Sequence, residues 1–164
     1  MTRRYEASAH VVATPAALFD RLDDQARLAD HMAKPSAMMG GGKMTYAFDE
    51  GGGRTVGSHI RMRGSAFGLE VFVDEVVTER APPRRKVWRT TGTPKLVVID
   101  GYEMGFEIAP DGEGSRLTVW IDYRLSKGLL GALIGPALGV MYARWCVDRM
   151  VGDAAAARET RAAA

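Results

Sequence analysis

No charged residue occurs between Gly128 and Ala143, a run of 16 residues that leads into the longest helical pattern in the chain. Beyond Gly135-Pro136, the residues Val140, Ala143, Val147, Met150 and Val151 fall on one stripe at helical spacing. Arg144, Asp148 and Gly152 fall beside it. Ile134, Leu138, Met141 and Trp145 form a second stripe roughly opposite, confined to the first half. A helix that is apolar on both sides at one end must be covered on both sides there. Two readings follow for the stretch from Lys127 to Ala157. It is a core helix gripped by a curved sheet, or its first half also borders a ligand cavity, a partner or a membrane surface. Gly131, Gly135 and Pro136 predict a break or kink near Pro136, which makes Leu129 to Leu138 a separable segment.

Everything before this stretch has to supply the cover. Residues 3–12 alternate as a strand, with neither face cleanly apolar, so the side occupied by His10 is open. Thr14-Pro15 is a helix start, with Thr14 as N-cap and Pro15 in the first position. Leu18, Phe19 and Leu22 share one side of that short helix, and Asp23 or Asp24 caps a second one running to about Met32. Further strands are predicted at 44–49, 58–64, about 69–80, 84–92, 95–108 and 115–125. They are separated by the glycine-rich 50–57, by Pro82-Pro83 and by the turn at 110–114. In the last two, Val98, Tyr102, Met104, Phe106 and Ile108 face one way, as do Leu117, Val119, Ile121, Tyr123 and Leu125. Short turns and one apolar face describe an antiparallel meander. Ile60 and Met62 share a face, which leaves His59 with Arg61 and Arg63 on the charged one.

Length and charge narrow the function classes. A chain of 164 residues is read as one domain over 1–157 with a flexible tail at 158–164, large enough to bury about 70% of its unfolded surface. The net charge of only +2 argues against a nucleic-acid partner. The uncharged run is shorter than the ~20 residues of a membrane span, and the N-terminus has no apolar signal region, so a cytoplasmic location is expected. Contact with a membrane, if any, is peripheral, through Gly128 to Ala143. Cys146 is the only cysteine, so it has no internal disulfide partner and reads as a small core residue.

Nine methionines need an explanation. Met32, Met38, Met39 and Met44 crowd the segment 31–44, where Pro35 and Gly40 to Gly42 forbid a long element. Flexible thioethers there can close over an apolar cavity, or simply anchor a long loop. A soft-metal site with His31 is the third reading, but the spacing does not define one. No phosphate-binding glycine pattern and no G-x-S-x-G context is present. No metal and no cofactor is expected.

The order is β, two short helices, about six antiparallel strands, then a long helix. Together with VVATPAALFDRLDDQARLADHM, EVVTERAPPRRKVW and SRLTVWIDY, it resembles the START-like SRPBCC superfamily, especially its polyketide cyclase/dehydrase-like members. The resemblance covers Tyr5 to about Ala154. It implies an α+β helix-grip fold: a curved antiparallel sheet of about six to seven strands wrapped around the C-terminal helix, with an apolar cavity between. The three scattered histidines and one cysteine are unlike the superfamily's oxygenase subunits with their Rieske cluster and 2-His-1-carboxylate iron. The segment HMAKPSAMMGGGKM is unlike the corresponding cyclase loop.

Two functions from different classes stay open. One is a carrier or sensor that binds a hydrophobic small molecule or lipid. Its expected contact residues are Met38, Met39, Met62, Phe67, Trp88, Tyr102, Met104, Phe106, Tyr123, Leu133 and Met141. The other is a cyclase or dehydratase, which needs a cavity-facing acid or base, with Tyr102, Tyr123 and His10 as candidates. The second would need at least two polar side chains converging deep in the cavity, whereas the first is marked by a mostly apolar pocket with few of them.

Overall fold

The computed structural model describes residues 1–30, 37, 40–126 and 129–157; the side chains of 28–30 and 129–135 are outside that description. The expected tail at 158–164 lies outside it too. Strand β1 (Thr2–Val11) leads into helices α1 (Pro15–Asp23) and α2 (Gln25–Asp30). Strands β2 (Met44–Phe48), β3 (His59–Ala66), β4 (Leu69–Ala81), β5 (Arg85–Lys95), β6 (Ile99–Asp111) and β7 (Gly114–Leu125) follow, then helix α3 (Leu129–Ala156). The strands form one seven-stranded sheet in the order β1-β7-β6-β5-β4-β3-β2, every neighbouring pair antiparallel. This is the helix-grip α+β fold.

Local chemistry accounts for the ends of the elements. The Thr14 hydroxyl accepts the Ala17 N–H at 3.3 Å, and Pro15 opens α1 without needing a donor. The Asp24 carboxylate accepts the Arg27 N–H and so caps α2. Its neighbour has another role. Asp23 is buried, and its carboxylate accepts Lys86 Nζ at 2.8 Å and Arg80 at 2.8–3.2 Å. Lys86, fully buried, also donates to the Asp23 carbonyl. This ion cluster fastens the end of α1 to β4 and β5, while Phe19 meets Phe106 edge-on at 5.6 Å.

Curvature comes from irregular pairing of β4 with β5. Two residues, Val77 and Glu79, span the partners Trp88 and Val87, and a second shift lies between Phe72 and Asp74. Such bulges bend a strand and increase its twist. Gly92, at φ +66°, belongs to the second shift. Gly92 is the boundary expected from sequence between strands at 84–92 and 95–108. The chain instead continues to Lys95 and reverses at residues 96–98. A glycine with positive φ serves a bulge as well as a turn.

Helix α3 packs on β1 and β7 through Ala143, Val147, Met150 and Ala154, all nearly or completely buried. It runs through Pro136 without ending, so of the break or kink expected there the break does not occur. A proline forfeits one internal hydrogen bond and crowds one carbonyl. Packing just beyond Pro136 compensates: a Cβ on Gly139 would come within 2.5 Å of Leu125, so the backbone there lies directly on the end of β7. Met141 is 46% exposed, so the second apolar stripe is not a continuous packing face.

Candidate functional site

Between the concave face of the sheet and α3 lies a cavity of about 90 Å³. Its apolar wall is Met62 of β3, Trp88 of β5, Met104 of β6, Ile121 of β7 and Met150 of α3. The alternation that buries these residues also aims polar ones inward. In β4, Val71, Val73 and Val77 are buried on the inner face, and Glu75 shares their parity. Gln25 of α2, Tyr46 of β2, Tyr102 of β6 and Tyr142 and Cys146 of α3 complete the polar part, with Arg149 at the edge. A second cavity of about 60 Å³ shares Met62, Tyr102 and Tyr142 with the first. It is otherwise apolar, and Phe67 stands half exposed beside it.

Glu75 and Tyr102 form the chemical centre. Tyr102 donates its hydroxyl to Glu75 Oε1. Burial pushes the Glu75 carboxyl up to about 7, against the opposing pull of the Tyr102 hydrogen bond and the Lys86 charge. The carboxyl therefore exchanges a proton near neutrality, while burial and the Glu75 charge hold the Tyr102 phenol protonated well above its ordinary range. Tyr102 is positioned by a local substitution for the sheet ladder. The β5–β6 pairing stops at Arg89–Glu103, and beyond it the Thr90 hydroxyl accepts the Tyr102 N–H and donates to the Tyr102 carbonyl. Burial pushes the Cys146 thiol up to about 12, so it is present as the thiol rather than the nucleophilic thiolate.

Gln25 differs from the other polar groups. It is buried, and among the described residues its Nε2 has no hydrogen-bond partner. The glycine-rich connection between β2 and β3 holds its stem. Gly53, at φ +72°, lies where a Cβ would come within 2.9 Å of Gln25 Cγ. The Gly53 N–H donates to Ser58 Oγ at 2.8 Å, and that hydroxyl donates to Asp49 Oδ1 at 2.6 Å.

Of the contact residues expected from sequence, Met62, Trp88, Tyr102 and Met104 line the larger cavity, and Phe67 joins Met62 and Tyr102 at the smaller. Four positions lie elsewhere in the structure. Phe106 is fully buried against Phe19 and Trp88, in the core rather than in either cavity wall. Tyr123 is likewise a core residue, 2% exposed. Met141 points outward. His10 lies on the exposed side of β1 with its ring on the Asp111 carbonyl, because the odd-numbered residues of β1 face inward. Met38 and Met39 lie outside the described residues, as does the Leu133 side chain. Glu75, Gln25, Tyr46, Tyr142, Trp145 and Cys146 were missed. For Glu75 a signal existed: a carboxylate at the inward parity of a valine-rich strand.

No group of three or more His, Cys, Asp or Glu is placed to hold a metal among the described residues. No described helix is long and apolar enough to cross a membrane.

A curved sheet closed on a long C-terminal helix, with a partly polar cavity between them, defines a START-like helix-grip protein of the SRPBCC type. A family model described as polyketide cyclase / dehydrase and lipid transport matches residues 2–160, and the chain belongs to that family. Solved structures show the same fold at low identity. The TTHA0849 protein of Thermus thermophilus is 16% identical with a TM-score of 0.67, over 95% of this chain and 99% of its own. The di-domain ARO/CYC protein BexL from the BE-7585A biosynthetic pathway is 16% identical with a TM-score of 0.64, over 93% of this chain and 48% of its own. Major latex-like protein 151 of Panax ginseng is 13% identical with a TM-score of 0.58, over 92% and 95%. No curated protein matches the chain.

Proposed function

We propose that this protein binds a hydrophobic small molecule or lipid in the space between sheet and α3, as a carrier or sensor. The observation that carries the reading is the paired cavity. Two apolar-walled spaces of about 90 and 60 Å³ are divided by Met62, Tyr102 and Tyr142. The Met62 thioether is an adaptable partition, because an unbranched side chain changes rotamer at little cost. Mostly apolar walls with a few convergent polar groups are the usual form of a small-molecule site. The family description, which joins cyclase and lipid-transport members, supports the same reading. Native mass spectrometry of protein purified from its own host should show a co-purified apolar ligand, and a lipophilic dye should fluoresce on binding and be displaced by it. Protein that is consistently empty and silent to the dye would sink the proposal.

A second reading is favoured by one specific observation, the hydrogen-bonded Glu75–Tyr102 pair in the cavity wall. A carboxyl poised near 7 is suited to take and return a proton, as enolisation and dehydration in a cyclase or dehydratase require. Tyr102→Phe and Glu75→Gln should then abolish turnover of a polyketide-like substrate while binding persists. Unchanged rates in both variants would rule this reading out.

A further inference from the structure

A buried amide with nothing to donate to is costly, and the cost says what should fill the space beside it. Gln25 is 7% exposed, lines the larger cavity, and has no partner for Nε2 among the described residues. An unmatched buried donor of this kind destabilises a protein by about 1–3 kcal/mol. The NH₂ group can only donate, so the group that relieves it is an acceptor. Rotation away is hindered, since Gly53 closes on Cγ and is itself tied through Ser58 to Asp49. The rest of the cavity sets the size and character of the molecule. The walls are mostly thioether, indole and aliphatic surface, with Tyr46, Glu75, Tyr102 and Tyr142 as further polar groups. The two cavities, of about 90 and 60 Å³, approach in combination the scale of a ~150 Å³ protein cavity that admits benzene.

We propose that Gln25 is the specificity-determining residue of this site. Its amide donates a hydrogen bond to a carbonyl oxygen on a compact ligand, the size of one six-membered ring with a short substituent. The inference rests on the cavity-binding reading above and narrows it to a substrate class, small cyclic ketones or esters. Selectivity is expected because a ligand of the same shape without the oxygen leaves the donor unmatched.

The test uses acetophenone and ethylbenzene, which share ring and chain length and differ by the carbonyl. Each is titrated into the wild-type protein and into Gln25→Leu, with the fluorescence of the cavity-lining Trp88 and Trp145 as readout. Loss of the hydrogen bond should lower the acetophenone-to-ethylbenzene affinity ratio about tenfold in the variant. Ethylbenzene should bind the variant at least as tightly as the wild type. A role in folding alone would not move this ratio. Gln25→Met serves if the leucine variant does not fold. The carbonyl stretch of acetophenone bound to the wild type gives a check without mutation, and should lie below its value in hexane. If both probes bind, the ratio holds and the stretch is unshifted, the role of Gln25 is overturned while the cavity reading stands. If neither probe binds the wild type or displaces a bound dye, the compact-carbonyl inference falls while the cavity reading stands; if the dye is silent and the protein empty as well, both fall.

Discussion

Glu75 shows how much one residue's surroundings decide. On a solvated strand it would be an ordinary carboxylate; enclosed by Tyr102, Trp88 and Tyr142 it is held near 7. A carboxyl raised on folding binds its proton more tightly in the native state, so its contribution to stability is full below about 4.5 and is lost as pH rises through about 7. The span corresponds to a loss on the order of 3 kcal/mol. Glu75→Gln keeps an acceptor for Tyr102 but cannot ionise. Urea unfolding should therefore find the variant more stable than wild type at pH 8 and about equal at pH 5. A variant less stable at both values would show that the charge is better compensated than the geometry indicates. The same residue marks the limit of reading from sequence. Its parity with Val71, Val73 and Val77 was legible, but the identity of its partner was not, because Tyr102 is 27 positions away in the chain.

At the level of elements, the docking of α1 and α2 sets the position of Gln25. The end of α1, from which α2 follows directly, is held by the cluster of Asp23, Arg80 and Lys86. Burial alone would raise the Asp23 carboxyl, but its hydrogen bonds to Arg80 and Lys86 hold it below its ordinary range. Its contribution is present above the unfolded value and is lost as pH falls through the folded one. Removing the carboxylate strands the fully buried Lys86 ammonium, so Asp23→Leu should cost about 3–5 kcal/mol in chemical denaturation. The double variant Asp23→Leu, Lys86→Met should recover much of that loss, because the buried ammonium is gone and Arg80, with its side chain 29% exposed, keeps access to water. Equal losses in single and double variants would mean that packing, not charge, holds α1. The element boundaries themselves were mostly legible. Thr14-Pro15 marks the start of α1, and strict alternation marks β6 and β7. Gly92 bends a strand without ending it, and Pro136 sits in a helix that continues past it. In both places packing outweighs a local preference of a few kcal/mol at most.

For the whole molecule, binding and folding are linked. A ligand that occupies the cavity only in the native state stabilises it by about 2.7 kcal/mol at a hundredfold excess over Kd. Saturation with a tight-binding probe should raise the urea midpoint accordingly, and filling the space with Met62→Trp should remove the increase. A midpoint that ignores the probe would count against an internal site. The sequence by itself determined the succession of elements, the apolar face of each strand and the long uncharged approach to α3, because these follow from periodicities of two and 3.6 carried by neighbouring residues. It also supported the resemblance to the family. The tertiary structure alone decided which polar residues meet. Gln25, Glu75, Tyr102 and Tyr142 come from four elements, and only sheet curvature and the placing of α1, α2 and α3 bring them to one cavity. The Gly128–Ala143 run that first suggested a cavity wall contributes Tyr142 to it. The polar centre of the site lies instead in a strand, at the single position where an inward valine pattern carries a carboxylate.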